Sequence, residues 1–245
     1  MTDGGNASDG GPDGTLTDDG GGDAEASTAN DASAEASAGD GGPSGLLYYF
    51  PLAGDTRDHS GNGHDATNHG ATATTGHSGN ANGAYMFDGT AAYMNAPGAA
   101  LPIGGAARTM TLWVNPSSMN RLFGIVSWGQ GDCTGLMFGL GSQGGTFWGG
   151  CDDAGDGAGL PVGSWTFLAA VFTPPDQMRI FVNAAATGYM LTTPLNTNAS
   201  SLWIGAETLD DTAADARGYF AGSIDSIRIY DHALSDAEIT AVMGL

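Results

Sequence analysis

The sequence predicts an all-β domain built as a two-sheet antiparallel sandwich over residues 46–245. Short apolar and aromatic runs recur along this region, and glycine-rich turn signals separate them, which is typical of many short strands. In the last run, Ile227 and Ile229 alternate with polar neighbours, as a strand with one buried face requires. About 200 residues are enough to bury one large core.

The strands follow from these runs and the turns between them. In chain order the predicted strands are Leu46–Leu52, Ala84–Phe87, Ala92–Ala96, Thr109–Val114, Leu122–Trp128, Leu136–Leu140, Thr146–Trp148, Trp165–Thr173, Met178–Asn183, Gly188–Leu191, Leu202–Gly205 and Phe220–Tyr230. Ile224 is out of phase with the later isoleucines of its strand, which predicts a β-bulge near Asp225.

One short helix is predicted at the C-terminal end. Ser235 precedes a helix-forming run and Glu238 follows three residues later, which is the spacing of a capping box. Gly244 is expected to end the helix.

The first 45 residues have a different composition. They contain ten of the chain's 27 acidic residues, none of its six basic ones and, beyond Met1, a single large apolar residue, Leu16. Such a segment cannot bury enough apolar surface to offset the entropy of ordering it. It is predicted to be a disordered acidic tether.

The charge excludes two classes of partner. The formal net charge is -21, and the six basic residues, all arginines, are scattered singly along the chain. Nucleic acids and anionic membranes require a basic surface, so neither is expected as a partner. No apolar run has the ~18 residues that a membrane span needs, so no transmembrane segment is expected.

Five blocks of the domain occur in a characteristic order: YFPLAGDTRDHSGNG, GAYMFDGTAAYMNAP, TMTLWVNP, SWTFLAAVFTPPDQMRIFVN and YFAGSIDSIRIYDHALSDAEI. As a set they resemble the laminin-G-like domains of the concanavalin A-like lectin and glucanase superfamily. The resemblance covers about residues 46 to 245. It implies a jelly roll, and related domains commonly hold a structural calcium ion.

A glycine-rich loop with several oxygen ligands follows the first strand. In the jelly roll the first and last strands are expected to pair, which would bring this loop close to Asp225. Converging carboxylates favour a hard cation bound through oxygen, so the predicted Ca²⁺ ligands are Asp55, Asp58, Asn62 and Asp225. The alternative is that the loop residues cap turns through bonds to the backbone.

Three histidines of the same segment, His59, His64 and His69, recur every five residues. A zinc site would require tighter spacing or further ligands, so these side chains are interpreted as solvated loop histidines. His77 and His232 are interpreted as isolated.

Cys133 and Cys151 are the two cysteines of the chain, and they flank two predicted strands. In a protein with an exported type of composition they are predicted to form a disulfide. Indole rings stack on sugar faces and carboxylates accept hydrogen bonds from sugar hydroxyls, so the loops around the disulfide are the predicted ligand site. The residues of that site are Trp128, Asp132, Trp148, Asp152 and Asp153. Alternatively, Trp128 and Trp148 fill the edge of the sandwich, and Trp113, Trp165 and Trp203 are predicted to be core residues.

No catalytic motif is found. The resemblance implies that a glucanase of this superfamily would carry its catalytic carboxylates on one strand in an E-x-D-x-E arrangement. The domain has no such strand: its two glutamates are Glu207 and Glu238, and the second belongs to the predicted helix cap. No G-x-S-x-G elbow is present, so an enzyme is not expected.

The expected function is a non-catalytic, calcium-stabilised carbohydrate-binding module that is secreted or displayed on a cell surface. The alternative is a structural or adhesion domain that binds surface proteins, and a glycoside hydrolase comes third. The opening residues carry no signal peptide. The surface location is therefore inferred from the composition of the tether and from the resemblance alone.

Overall fold

The computed structural model describes residues 42–119, 123–131, 133–141, 144–149, 151–155 and 159–245. The predicted tether therefore lies almost entirely outside the described residues. The elements, in chain order, are β1 Leu46–Phe50, β2 Thr67–His69, β3 Thr72–Thr74, β4 Ala84–Asp88, β5 Tyr93–Ala96, β6 Arg108–Pro116, β7 Phe123–Trp128, β8 Leu136–Gly141, β9 Gly144–Gly149, β10 Asp153–Gly155, β11 Thr166–Thr173, β12 Gln177–Val182, β13 Ala185–Met190, β14 Leu202–Ile204, β15 Ala221–Tyr230 and α1 Asp236–Met243.

The strands form two antiparallel sheets, as predicted. The eight-stranded sheet has the order β13-β12-β11-β6-β15-β4-β3, with β1 also paired to β15. The seven-stranded sheet has the order β10-β9-β8-β7-β14-β5-β2. The main core lies between the sheets, and it draws buried residues from both of them.

The chain ends meet as predicted, because β1 pairs antiparallel with β15. The predicted bulge is confirmed: the register of β15 against β6 shifts between Asp225 and Arg228, and Ser226 has a φ of 53°. The extra residue lets Ile224 and Ile227 both be fully buried although they lie three positions apart. It also places Asp225 opposite Trp113 of β6.

The helix packs on the outer face of the eight-stranded sheet. Ser235 is the N-cap and forms the predicted capping box with Glu238, and the helix ends at Gly244. Ile239 and Val242 are buried against a second apolar cluster that includes Tyr230. Among the residues covered by the structure, no helix is long and apolar enough to cross a membrane.

Three short strands were not predicted. β2, β3 and β10 have three residues each, and every residue of β2 is exposed. Such edge strands are held by backbone pairing, here of β2 with β5 and β3 with β4, so their sequences carry no apolar alternation. The glycine-rich loop that was predicted after the first strand therefore ends in a short strand, β2.

Candidate functional site

Asp58 is a buried carboxylate that holds its own loop together. Its Oδ1 accepts hydrogen bonds from the backbone N–H groups of Tyr49 (3.0 Å) and Ser60 (2.9 Å), and its Oδ2 accepts one from that of His64 (3.0 Å). Burial alone would raise the pKa of Asp58, but hydrogen bonds from Ser60, Tyr49 and His64 outweigh it and lower the pKa. The residue fastens the loop to β1.

Asp225 belongs to a different network. Its Oδ2 accepts hydrogen bonds from the backbone N–H of His77 (2.9 Å) and lies 2.7 Å from His77 Nδ1, and its Oδ1 accepts one from the Ser226 hydroxyl (2.8 Å). The imidazole of His77 stacks on Trp113 at 4.5 Å between ring centroids. The interpretation of His77 as isolated was wrong, because its partner lies 148 positions away.

The predicted calcium ligands are not brought together. Asp55 Oδ1 accepts from the backbone N–H of Arg57, two positions away, which is the turn-capping role of the alternative interpretation. The Asn62 amide donates instead to the carbonyls of Leu46 and Leu47, so it ties the loop to β1.

Asp58 and Asp225 each accept three hydrogen bonds, and the two sets of partners are different. In the part of the chain described, no group of three or more His, Cys, Asp or Glu side chains is placed to hold a metal ion. Calcium binding stays a prediction of the sequence.

The predicted disulfide between Cys133 and Cys151 is confirmed. Trp128 does not fit the predicted role of a stacking platform, because it is 1% exposed and its Nε1 donates to the Pro102 carbonyl at 3.0 Å. The ring faces the core between the sheets. Side chains alternate along a strand, so the preceding residue, Ser127, belongs to the other face.

The remaining predicted ligand residues differ in their surroundings. Asp152 accepts hydrogen bonds from the hydroxyl of Thr192 (2.8 Å) and the backbone N–H of Thr193 (3.1 Å), and hydrogen bonds from Thr192 lower its pKa. Asp153 is exposed on β10 and pairs in register with Trp148 of β9. Asp132 and the side chain of Trp148 lie outside the described residues.

The strand register joins this region to the opposite edge of the seven-stranded sheet. One cross-strand row runs over the whole sheet through residues that are successive Cα partners, and its members are Thr67, Asn95, Trp203, Ser127, Met137, Trp148 and Asp153. On β5 and β14 this row is on the outer face, because the neighbouring residues Met94, Ala96, Leu202 and Ile204 are buried in the core. We call it the outer row.

An aromatic stack stands beside the outer row. The rings of His69 and Tyr93 are stacked at 4.4 Å with an interplanar angle of 13°, and Tyr93 and Trp203 are stacked at 5.0 Å. His69 Nε2 lies 3.0 Å from Asn95 Oδ1. Trp203 is buried on this outer face, where its Nε1 donates to Asp211 Oδ1 at 2.9 Å. His69 is exposed, and Tyr93 and Asn95 are partly exposed.

Sequence reasoning missed this stack, although one signal was present. In β5 the sequence YMNA alternates, with Tyr93 and Asn95 partly exposed and Met94 and Ala96 buried. An aromatic and an amide side chain on the exposed face of a strand are candidates for ligand contact. His69 could not be assigned to them without the pairing of β2 with β5.

The two tryptophans of the eight-stranded sheet were also misplaced. Trp113 and Trp165 were predicted to be core residues, but both are only partly buried. They lie with His77 on the outer face of that sheet, since His77 stacks on Trp113 and meets Trp165 edge-on at 6.4 Å.

Comparisons with known proteins agree with this architecture. The chain is similar to domain 4 of AbnA, a GH43 extracellular arabinanase from Geobacillus stearothermophilus solved in complex with arabinotriose, with 20% identity, a TM-score of 0.66 and coverage of 81% of this chain and 98% of that one. It is also similar to the binding domain of Paraclostridial Mosquitocidal Protein 1, with 12% identity, a TM-score of 0.62 and coverage of 81% of this chain. A third similar structure is the binding domain of botulinum neurotoxin serotype D, with 12% identity, a TM-score of 0.60 and coverage of 82% of this chain. The chain spans about half of each toxin binding domain, 52% and 51%. At these identities the likeness shows the fold.

A search of curated protein sequences found no match. A laminin G family model matches residues 88–240, which is more than half of the chain. The chain therefore belongs to the concanavalin A-like lectin/glucanases superfamily.

Proposed function

We propose that the domain is a carbohydrate-binding module and that it binds sugars on the outer face of the seven-stranded sheet. The observation that carries the proposal is the stack of His69 on Tyr93 with the amide of Asn95 beside it. Aromatic rings offer apolar surface to the C–H faces of sugars, and an amide supplies both a donor and an acceptor for hydroxyl groups.

The stack is held in place from below. Trp203 supports the ring of Tyr93 and is fixed by its hydrogen bond to Asp211. Asp211 also accepts hydrogen bonds from the backbone N–H of Ser201, which ties the loop to β14. A preformed surface loses little entropy on binding. The similarity to an arabinanase domain solved with arabinotriose supports the same class of ligand.

The module is proposed to bind glycans without cleaving the glycosidic bond. Retaining hydrolysis requires two carboxyl groups about 5 Å apart, one of them protonated. Glu207 is engaged with Arg217 (3.6 Å), and Glu238 caps the helix through Ser235. The two glutamates therefore have separate structural roles.

We also propose that the domain acts outside the cell, with residues 1–45 as an acidic spacer. The disulfide supports this location, because disulfides persist in oxidising compartments.

Tyr93→Ala is expected to weaken oligosaccharide binding by about tenfold, since it removes the ring that stands between His69 and Trp203 and holds the stack together. Tyr93→Phe should bind as the wild type does, because it keeps the ring. The measurement is calorimetric titration with the best ligand from a glycan array, with arabinotriose as the first sugar to try. Tyr189→Ala on the eight-stranded sheet is the matched control. Equal affinity of Tyr93→Ala and wild type would contradict the proposed site, and an array without any binding would favour the protein-binding alternative.

Calcium is tested separately by thermal melting. A cation present at a hundred times its Kd would add about 2.7 kcal/mol, which corresponds to several degrees in Tm for a domain of this size. Because the oxygens of Asp58 and Asp225 are already hydrogen-bonded, we expect the same Tm with calcium and with chelator. A higher Tm in calcium would instead support the calcium prediction.

A further inference from the structure

Three side chains on the outer face of the eight-stranded sheet form a continuous hydrogen-bonded chain. The Ser78 hydroxyl lies 3.0 Å from His77 Nε2, and His77 Nδ1 lies 2.7 Å from Asp225 Oδ2. Asp225 is 3% exposed, His77 is partly buried and Ser78 is exposed. A buried carboxylate, an imidazole and an accessible hydroxyl thus occur in the order that activated serines require.

The hydrogen bonds fix the tautomer of the imidazole. An ionised carboxylate can only accept, so the proton of neutral His77 is on Nδ1, where it bonds to Asp225. Nε2 then carries the lone pair and accepts the hydrogen bond from the Ser78 hydroxyl. This tautomer is the one in which Nε2 can take the serine proton.

The imidazole is also held rigidly. One face stacks on Trp113 with an interplanar angle of 6°, and the backbone N–H of His77 donates to Asp225. Gly76 allows this close approach, because a Cβ there would lie 2.9 Å from Asp225 Oδ2. Backbone hydrogen bonds from Gly79 to Gly76 and from Gly76 to Asn80 close the loop that carries the serine.

We propose that Ser78 is an activated nucleophile, with His77 as its general base, and that it hydrolyses carboxylic esters. Ser78 Oγ forms a bond to the ester carbonyl carbon while its proton passes to His77 Nε2. The ester C–O bond then breaks, and the alcohol leaves with that proton. Water next attacks the acyl-serine with His77 again taking the proton, which releases the carboxylic acid and restores Ser78.

Two indole side chains lie next to His77. Trp165 lies edge-on to His77 at 6.4 Å and Trp113 lies beneath it, and both indoles are partly exposed. They offer an apolar wall next to an exposed hydroxyl. The activity is independent of carbohydrate binding, because it is placed on the other sheet from the His69–Tyr93 stack. It also differs from the sequence-based expectation of no enzyme, which rested on the absence of an E-x-D-x-E strand and of a G-x-S-x-G elbow.

The test uses the full chain and two probes, a fluorophosphonate and p-nitrophenyl acetate. We expect the phosphonate to label Ser78, identified by peptide mass spectrometry, and we expect hydrolysis of the acetate to fall at least tenfold in Ser78→Ala and His77→Asn. His59→Asn is the matched control, since His59 also pairs with an aspartate, Asp55 at 3.5 Å, and should leave the rate unchanged. Absence of labelling at Ser78, or equal hydrolysis by Ser78→Ala and wild type, would overturn the proposal.

Asp225 is a positioning residue, and a second measurement separates its role from stability. In wild type the ¹⁵N chemical shifts of His77 should report a proton on Nδ1. Asp225→Asn should lose that tautomer preference and label more slowly with the phosphonate at temperatures where it remains folded. An unchanged tautomer and an unchanged labelling rate would contradict this assignment.

Discussion

Replacing Asp58 by Ala is expected to lower the free energy of unfolding by about 4 kcal/mol, because each buried donor left without a partner costs about 1–3 kcal/mol. The carboxylate accepts from the backbone N–H groups of Tyr49, Ser60 and His64, and the side chain is fully buried. The measurement is urea denaturation followed by tryptophan fluorescence.

Asp55→Ala is the matched control in the same loop. Asp55 accepts one backbone hydrogen bond, from Arg57, and nearly half of its side chain is exposed. We expect a change of less than about 0.5 kcal/mol, as for other surface substitutions. Equal effects of the two substitutions would contradict a structural role for the buried carboxylate.

The same carboxylate makes the free energy of unfolding of the domain depend on pH. The folded pKa of Asp58 is lowered because the hydrogen bonds outweigh burial, so its contribution is present above the unfolded pKa of about 3.9 and is lost as the pH falls through the folded pKa. In Asp58→Asn, the amide NH₂ group replaces one carboxylate oxygen, so a hydrogen-bond donor would face the backbone N–H groups that now donate to Asp58. The stability gap between wild type and Asp58→Asn should therefore narrow below about pH 4. A gap that stays constant with pH would contradict this reasoning.

Local patterns predicted much of the fold. The capping box of Ser235 and the bulge at Asp225 depend on spacing within one segment, so the sequence was sufficient to find them. Trp128 shows where that reasoning ends. A tryptophan at a strand end can face either side of the sheet, and a shift of one residue decides between the outer face and the core.

The candidate sites depended on contacts between distant segments. His77 and Asp225 are 148 positions apart, and His69 meets Tyr93 only because β2 pairs with β5. Neither pairing leaves a pattern in its own segment, since β2 is a short edge strand with every residue exposed. The pairing of β1 with β15 was predicted correctly, but the hydrogen bonds that Asp58 accepts within its own loop could not be read from the sequence.

The second large effect is expected at Arg108, a fully buried guanidinium. It donates to the carbonyls of Ala106 (2.9 Å) and Gly104 (2.8 Å) and to the hydroxyl of Thr197 (3.0 Å). Burial lowers its pKa to about 10, so it stays charged at pH 7. Within the described ranges no carboxylate forms an ion pair with it. The hydrogen bonds and the rings of Trp128 (5.7 Å) and Phe172 (5.9 Å) therefore compensate for the lost hydration.

Arg108→Met is expected to lower the free energy of unfolding by about 3 kcal/mol, because it leaves two carbonyls and a hydroxyl without their donor. Arg108→Lys should cost nearly as much, since a single ammonium group cannot reproduce the planar fork. Arg57→Met on the surface is the control and should change little. The guanidinium also fastens the bridge between Gly104 and Thr197, so hydrogen exchange of those two amides should accelerate in both Arg108 variants. Unchanged exchange with unchanged stability would show that packing alone holds the two loops together.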